Sequence, residues 1–257
     1  MDVVDKEARL QAEEYSFPYH YLPRLEPGYA LSRGWNFAAS YLAALELIYH
    51  ALAQWQDGRS SVAGEWKHLD IGCGDGALIY HLRKNKALES VDWCGVDYDP
   101  RAIGWARMFN PGVSFQAGDV ADVEPEGFGS ASLGEVADHI PPEELDGFIS
   151  KCAAALRPRA YMVVTVPSIQ KPVQAKHYQH FTFEGIENTL AGEFEVLSIK
   201  GFERHTLWSR LLHRAVYRTP VSIDGEWVAR HLIHALRRTY EDIRGCGRIL
   251  VTLRKRA

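Results

Sequence analysis

The sequence predicts an α/β protein with a doubly wound sheet of Rossmann-like type, and three observations carry that prediction. Seven short apolar segments between residues 66 and 256 have the length of strands. Helix-like segments separate most of them, and this alternation is typical of right-handed βαβ units with parallel strands. A glycine-rich turn, Gly72–Gly76, follows the first strand, where such sheets bind their ligands.

The composition is that of an ordinary globular protein. The 257 residues are 46 % apolar and 24 % charged. No apolar run approaches the roughly 18 residues of a membrane span, so stable membrane insertion is not expected. The acidic N-terminal segment lacks the apolar stretch of a signal peptide, which predicts a cytoplasmic location. The cysteines show no paired spacing and are expected to be free thiols: Cys73, Cys94, Cys152 and Cys246.

An N-terminal cap of helical and aromatic character is predicted over residues 1–64. Within it, residues 35–55 have apolar side chains at helical spacing. The preceding segment, 15–29, is rich in aromatic residues and broken by three prolines. Two interpretations stay open for this cap: a lid over the active site, or an apron that covers the sheet.

The core is predicted over residues 65–204, with helices at 76–88, 100–109, 142–156 and 182–191. An insert at 205–247 carries two amphipathic helices and is a candidate lid or partner surface. Residues 248–257 then return as the last strand of the core sheet. The predicted strands are WKHLDIG, SVDWCGVDY, VSFQAGD, ASLGEV, AYMVVTVPS, FEVLSIKGF and RILVTLRKR.

Positive charge is concentrated in the C-terminal part of the chain. Residues 200–257 hold 13 Lys and Arg against five acids, although the whole chain has a net charge of −4. A solvated basic face on amphipathic helices explains this excess, and so does a site for an anionic partner such as a phosphate or an RNA end.

The glycine turn and two acids indicate a nucleoside ligand. Glycine lets the backbone turn sharply and lets its N–H groups approach a ligand closely. Asp97 ends the second predicted strand and can accept hydrogen bonds from ribose hydroxyls, while Asp119 ends the third and can accept from an adenine amino group. The spacing Gly72-x-Gly74-x-x-Ala77 also satisfies the dinucleotide fingerprint, so a dehydrogenase is the alternative.

These segments resemble the class I S-adenosylmethionine-dependent methyltransferases. The resemblance implies a seven-stranded sheet whose last strand is antiparallel. It also implies S-adenosyl-L-methionine as cofactor, with Gly72 and Gly74 beside the methionine moiety, Asp97 on the ribose and Asp119 facing adenine. Further cofactor-binding residues implied by their neighbourhood are Asp70, Cys73, Tyr98, Val120 and Glu135. The matching segments are LDIGCGDG (69–76), GVDYDPRAI (95–103), GD (118–119), LGEVADHIPPEEL (133–145) and LRP…VVTVPS (156–168).

Acids and histidines follow the fourth and fifth predicted strands. Glu135, Asp138 and His139 have i, i+3, i+4 spacing and would share a face in one helical turn. His177 and His180 come later, and loops after both strands open at the carboxyl edge of the sheet. This element is similar to the metal-binding E-x-x-E-H element of ubiquinone-biosynthesis O-methyltransferases and small-RNA 3′-terminal 2′-O-methyltransferases.

The resemblance implies Mg²⁺ or another divalent cation on Glu135, Asp138, His139 and His180. Here Asp138 replaces a glutamate of the pattern, and Gln179 stands where an acid is usual. A metal-free alternative has His139, His177 or His180 as general base. In a third interpretation these residues are purely structural.

The predicted function is O-methylation of a hydroxylated small metabolite. One alternative acceptor is the 2′-hydroxyl of an RNA 3′ terminus. A different class is a non-catalytic cofactor-binding subunit. The sequence predicts no oligomeric state.

Overall fold

Seven strands form one continuous sheet in a computed structural model that describes residues 15, 18–21, 37–57, 66–217 and 226–257. The strand order is β3-β2-β1-β4-β5-β7-β6. All seven predicted strands are present. They are β1 (Lys67–Ile71), β2 (Asp92–Asp97), β3 (Ser114–Ala117), β4 (Phe128–Gly134), β5 (Leu156–Pro167), β6 (Phe194–Arg204) and β7 (Cys246–Lys255).

Strand direction follows the predicted doubly wound topology. Strands β1 to β5 pair in parallel, whereas β7 lies between β5 and β6 and is antiparallel to both. The chain order reverses between β1 and β4, which places a topological switch point at the middle of the sheet. The predicted seven-stranded fold with an antiparallel last strand is therefore confirmed.

Helices cover both faces of the sheet. One core is formed by α1, α2, α3, α6 and α7, and the other by α4 and α5. Each buries an apolar stripe against alternate residues of the strands. The helices are α1 (Ala38–Asp57), α2 (Ala77–Leu82), α3 (Pro100–Phe109), α4 (Pro142–Ala155), α5 (Phe183–Ala191), α6 (Leu207–Tyr217) and α7 (Glu226–Leu236).

The two helices of the insert belong to the core. Leu212 and Val216 of α6, with Leu232 and Leu236 of α7, are buried in the same cluster as α1. Helix α7 packs against both α1 and α6. These contacts make the insert a layer over one face of the sheet. Of the predicted cap, the structure describes Tyr15, residues 18–21 and 37–57; its other residues lie outside the described part.

Two smaller predictions concern solubility and thiols. All four cysteines are free. Within the described residues, no helix combines the length and the apolar character that crossing a membrane requires.

Candidate cofactor and acceptor site

A cavity of about 960 Å³ opens at the carboxyl edge of the parallel strands. Its wall includes the loops that follow β1, β2, β3, β4 and β5, together with Tyr15, His20 and the start of β7. Small-molecule sites typically measure about 300–1,000 Å³, so this space holds a nucleoside-sized ligand and a second small molecule. The predicted residues Cys73, Tyr98 and Val120 also line it.

The turn after β1 requires glycine at two positions that line the cavity. Gly72 and Gly74 have φ values of 68° and 53°, in the left-handed region that side chains disfavour. A Cβ at Gly72 would lie 2.4 Å from Cγ2 of Val136, and one at Gly74 would lie 2.3 Å from the hydroxyl oxygen of Tyr15. Main-chain atoms without side chains therefore line the cavity at Gly72 and Gly74.

Asp97 ends β2 beside this turn and is 7 % exposed. Its Oδ2 accepts a hydrogen bond of 2.8 Å from the N–H of Gly74, and its Oδ1 accepts one of 2.9 Å from the N–H of Asp99. These two donors fix the carboxylate at the cavity wall. Burial raises the pKa of Asp97 even though both donors favour the ionised form.

Asp119 lies further along the same wall, after β3, and is more exposed. Its Oδ1 accepts from the N–H of Ala121 at 2.8 Å, and its Oδ2 pairs with Lys151 at 2.8 Å. The N–H of Ala121 and the Lys151 ammonium lower the pKa of Asp119, so this acid carries its charge at neutral pH.

Asp70, near the end of β1, is a buried acid that lines the cavity. The hydroxyl of Ser132 donates to its Oδ1 at 2.7 Å, and His68 bridges Ser132 and Ser130 at 3.0 and 2.8 Å. Burial raises the pKa of Asp70 to about 7, and the charge of Asp97 adds to the effect. The sequence analysis did not foresee this hydrogen-bonded ladder, although the alternation of His68 and Asp70 with apolar residues in β1 was a visible signal.

The N-terminal segment covers the glycine turn. His20 Nδ1 lies 2.9 Å from Oδ2 of Asp75, and the Tyr21 hydroxyl donates to the carbonyl of Asp75 at 2.6 Å. Tyr21 also stacks on Phe109 with ring centroids 4.2 Å apart. These contacts hold His20 and Tyr21 beside the glycine turn, and Tyr15 and His20 line the cavity.

A cluster of one acid and two histidines lies at one wall of the cavity. Asp138 is fully buried, and its Oδ2 lies 3.1 Å from Nδ1 of His177 and 3.7 Å from Nε2 of His139. One candidate ligand atom from each of these three residues lies within 4.8 Å of the others. His139 and His177 line the cavity, whereas Asp138 stands behind them.

Two of the four predicted metal ligands lie apart from this cluster. Glu135 has a left-handed φ of 57°, and only Ala137–His139 forms a short 3-10 turn, so residues 135–139 are not one helical turn. Oε2 of Glu135 accepts instead from Nε of Arg248 at 2.8 Å. His180 has its Nε2 against Nδ1 of His177 at 3.0 Å.

The hydrogen bond of His139 defines its neutral tautomer. Its Nδ1 lies 3.0 Å from the carbonyl oxygen of Lys176. A carbonyl only accepts, so Nδ1 carries the proton and Nε2 is the basic nitrogen. His180 is held in the same way, since its Nδ1 donates to the carbonyl of Lys171 at 3.1 Å.

Sequence reasoning missed two cations and a hydroxyl that line the cavity. Arg248 is the third residue of β7, Lys171 follows β5, and Thr165 lies near the end of β5. Because β7 is antiparallel, its first residues lie at the carboxyl edge, and Arg248 pairs in register with Pro167. The signal was present in the predicted antiparallel last strand, which implies that placement.

The comparisons agree with this geometry. Residues 69–159 match a family model described as "Methyltransferase domain". No curated protein matches the chain significantly.

Three solved structures share the fold at low sequence identity. A SAM-dependent methyltransferase from Archaeoglobus fulgidus is 19 % identical, with a TM-score of 0.55 over 82 % of this chain and 94 % of that one. The Burkholderia thailandensis 1,6-didemethyltoxoflavin-N1-methyltransferase, with its substrate and S-adenosylhomocysteine bound, is 16 % identical, with a TM-score of 0.58 over 100 % and 92 %. The [4+2]-cyclase SpnF is 17 % identical, with a TM-score of 0.60 over 100 % and 98 %. At these identities the likeness establishes the fold alone.

Fold and domain match point to the same class of protein. The chain contains a methyltransferase domain, matched over residues 69–159, and it shares its fold with a solved S-adenosylmethionine-dependent methyltransferase. The resemblance to the metal-dependent branches of these methyltransferases rests on the acid and histidine element alone.

Proposed function

We propose that this methyltransferase transfers the methyl group of S-adenosylmethionine to an oxygen of a hydroxylated small molecule. One observation carries the proposal: a single cavity joins the glycine turn and Asp97 to the imidazole of His139. A methyl donor held at one end and a basic nitrogen at the other are what O-methylation requires.

The donor would bind along the glycine turn. The N–H groups around Gly72 and Gly74 and the side chain of Cys73 would border its methionine part, and Asp97 would hold the ribose hydroxyls. Asp119, Val120 and Tyr98 would flank adenine. The carboxylates of Asp70 and Asp97 give this end of the cavity a negative potential, which favours a cationic sulfonium compound.

The acceptor oxygen would attack the methyl carbon in line with the carbon–sulfur bond. The oxygen–carbon bond forms as the carbon–sulfur bond breaks, and the electron pair of that bond returns to sulfur. Nε2 of His139 would take the hydroxyl proton, since Nδ1 is already protonated and bound to the Lys176 carbonyl. His20 and Tyr21 hold the covering segment that would exclude water.

Metal assistance is a second candidate, favoured by the convergence of Asp138, His139 and His177. Two imidazoles and one carboxylate are a recognised donor set for divalent cations, and neither oxygen of Asp138 has a hydrogen-bond donor of good geometry. These residues fit a cation better than the predicted set with Glu135 and His180. Bound there, Mg²⁺ or a similar ion would lower the pKa of the acceptor hydroxyl.

Direct binding and turnover assays test the proposal. We expect saturable calorimetric binding of S-adenosylmethionine, and methyl transfer to members of a phenol and sugar panel. Saturable binding of NADH with no heat from S-adenosylmethionine would refute it. Loss of activity in chelator, restored by Mg²⁺ or Mn²⁺ and absent in Asp138→Asn, would select the metal-assisted form.

RNA oligomers belong in the same acceptor panel. Preferred methylation of RNA, falling steeply with salt, would favour the 2′-hydroxyl of an RNA terminus as acceptor. Cofactor binding without turnover on any acceptor would identify a non-catalytic subunit.

A further inference from the structure

The end of the cavity that Glu135, Thr165 and Arg248 line contains buried polar atoms with unused hydrogen-bonding capacity. Among the described residues, Oε1 of Glu135, Oγ1 of Thr165 and Nη1 of Arg248 are buried and have no hydrogen-bond partner. All three residues line the cavity. Buried polar groups are nearly always paired, so a cluster of unpaired ones beside an open cavity indicates a ligand-binding position.

Arg248 is held rigidly at this position. Its side chain is 11 % exposed, its Nε donates to Glu135 at 2.8 Å, and its Nη1 lies 3.2 Å from Oε2 of Glu203 without hydrogen-bond geometry. Burial disfavours its charge, yet the carboxylates of Glu135 and Glu203 outweigh that cost and raise the pKa of Arg248. The guanidinium is therefore a permanent cation with a fixed orientation.

Glu203 fixes Arg248 from behind the cavity wall. It is 2 % exposed, adopts a left-handed φ of 60°, and accepts hydrogen bonds of 2.6 Å from Ser40 and from Lys171. A Cβ at Gly247 would come within 2.9 Å of its Oε2. A left-handed, non-glycine backbone at a buried charged residue is a strained conformation of the kind that clusters at functional sites.

Thr165 supplies a second donor on the same face of the sheet. It is 1 % exposed, and it lies opposite Leu250 in the β5–β7 ladder while Arg248 lies opposite Pro167. Thr165 and Arg248 are thus diagonal neighbours, with Cα atoms roughly 7–8 Å apart in such a ladder.

Hydrogen-bond donors at this end favour an anionic group. The cations Arg248 and Lys171 are balanced by Glu135, which lines the cavity, and by Glu203 behind it, so net charge does not select the ligand. Nη1 of Arg248 and the hydroxyl of Thr165 can both donate, and neither has a hydrogen-bond partner in the described part of the chain. A carboxylate offers two oxygens that only accept, which matches two such donors.

We propose that Arg248 and Thr165 form an acceptor-recognition subsite that binds a carboxylate of the methyl acceptor, with Glu203 as the positioning residue of Arg248. This inference rests on the proposed methyl transfer and adds the substrate class: hydroxylated small molecules that carry a carboxylate. The carboxylate accepts from Nη1 of Arg248 and from the hydroxyl of Thr165, in the charge-assisted geometry that arginine favours.

Paired fragments test the subsite without turnover. Benzoate and hydroxybenzoate, each beside its carboxamide, are titrated calorimetrically into protein saturated with S-adenosylhomocysteine. The expected preference of the wild-type protein is about tenfold or more for each carboxylate over its amide. Thr165→Val keeps the shape of the side chain and is expected to weaken carboxylate binding about tenfold while changing amide binding less than twofold.

Arg248→Lys is the second variant, because it retains a cation between Glu135 and Glu203 but loses the planar fork. It is expected to abolish the carboxylate preference. Arg254→Lys, at the half-exposed far end of β7, is the matched control. It should change the affinity for neither the carboxylate nor the amide fragments. Glu203→Gln should reduce the same preference through Arg248, and folding of each variant is checked by thermal melting.

The outcomes separate this inference from the proposed function. Equal binding of carboxylates and amides, no binding of either, or equal loss of both in Thr165→Val and Arg248→Lys would overturn the subsite. Methyl transfer to neutral phenols with no preference for carboxylates would overturn it too, while leaving methyl transfer intact. Carboxylate binding that depends on Thr165, without turnover on any acceptor, would retain the subsite and refute the proposed reaction.

Discussion

The two ends of the cavity differ in composition: main-chain atoms form most of one, and side chains form the other. The end where we propose that the methyl donor binds is formed largely by main chain: left-handed glycines at 72 and 74, and N–H groups that fix Asp97. The end proposed for the acceptor is formed by side chains from α1, β6, β7 and the loops after β4 and β5, which are joined in one network around Arg248 and Glu203. A backbone site needs few residue types at fixed spacing, whereas a side-chain network can be assembled from distant positions. The first leaves a local sequence signature and the second does not.

The largest expected effect concerns the acceptor end. His139→Gln removes the basic Nε2 but keeps a polar side chain, so kcat should fall about 10²–10⁴-fold, the usual contribution of a general base. Affinity for S-adenosylhomocysteine should change less than twofold, measured by calorimetry. His50→Gln, in an exposed position of α1, is the control. Equal losses of kcat and cofactor affinity would mean that His139 does not act on turnover independently of cofactor binding.

The donor end should be intolerant of a single methyl group. Gly72→Ala places a Cβ against Val136 in a left-handed conformation, so we expect a loss of about 2–5 kcal/mol in the free energy of unfolding. Chemical denaturation measures it. Gly104→Ala in α3, where a Cβ meets nothing within 4 Å, is the matched control and should be neutral or slightly stabilising. A tolerated Gly72→Ala would show that the turn is not rigid.

Removing the acid that we propose for the ribose hydroxyls should weaken cofactor binding without affecting the reaction at the acceptor. Asp97→Ala deletes a carboxylate held by two N–H groups, so the Kd for S-adenosylhomocysteine should rise about 10- to 100-fold. At saturating cofactor, kcat should be largely recovered. Asp92→Ala, exposed at the other end of β2, provides the control. Unchanged calorimetric binding would remove Asp97 from the cofactor site.

The smallest expected effect is a proton released at the donor end. Asp70, with a pKa near 7, is partly protonated at neutral pH. A bound sulfonium cation favours the carboxylate and lowers that pKa, so binding should release a fraction of one proton. Binding heats at pH 7 in buffers of different ionisation enthalpy measure it, and Asp70→Asn should abolish the difference. Proton uptake on binding would contradict the expected sign.

The sequence predicted the fold and the glycine turn that lines the cavity because both are encoded locally. Each strand is a short apolar run. Glycine at positions 72 and 74 indicates a turn in the sequence itself, because glycine is the residue that adopts a left-handed backbone without strain. The arrangement of Glu135 and the histidines depends on a backbone conformation and on a contact between two loops, and residue spacing reveals neither. The left-handed backbone at Glu135 directs its carboxylate to Arg248. A backbone hydrogen bond from Tyr178 to Asp138 brings two separate loops together, which places His177 rather than His180 beside the acid.

The reversed direction of β7 has a practical consequence. The insert leaves the sheet at Arg204 and returns at Cys246, and these two residues face each other in the β6–β7 ladder. Since the excursion starts and finishes at neighbouring points, extending it adds little closure entropy, and Arg248 stays where the sheet holds it. A reporter domain inserted within this excursion should therefore leave the position of Arg248 at the cavity unchanged.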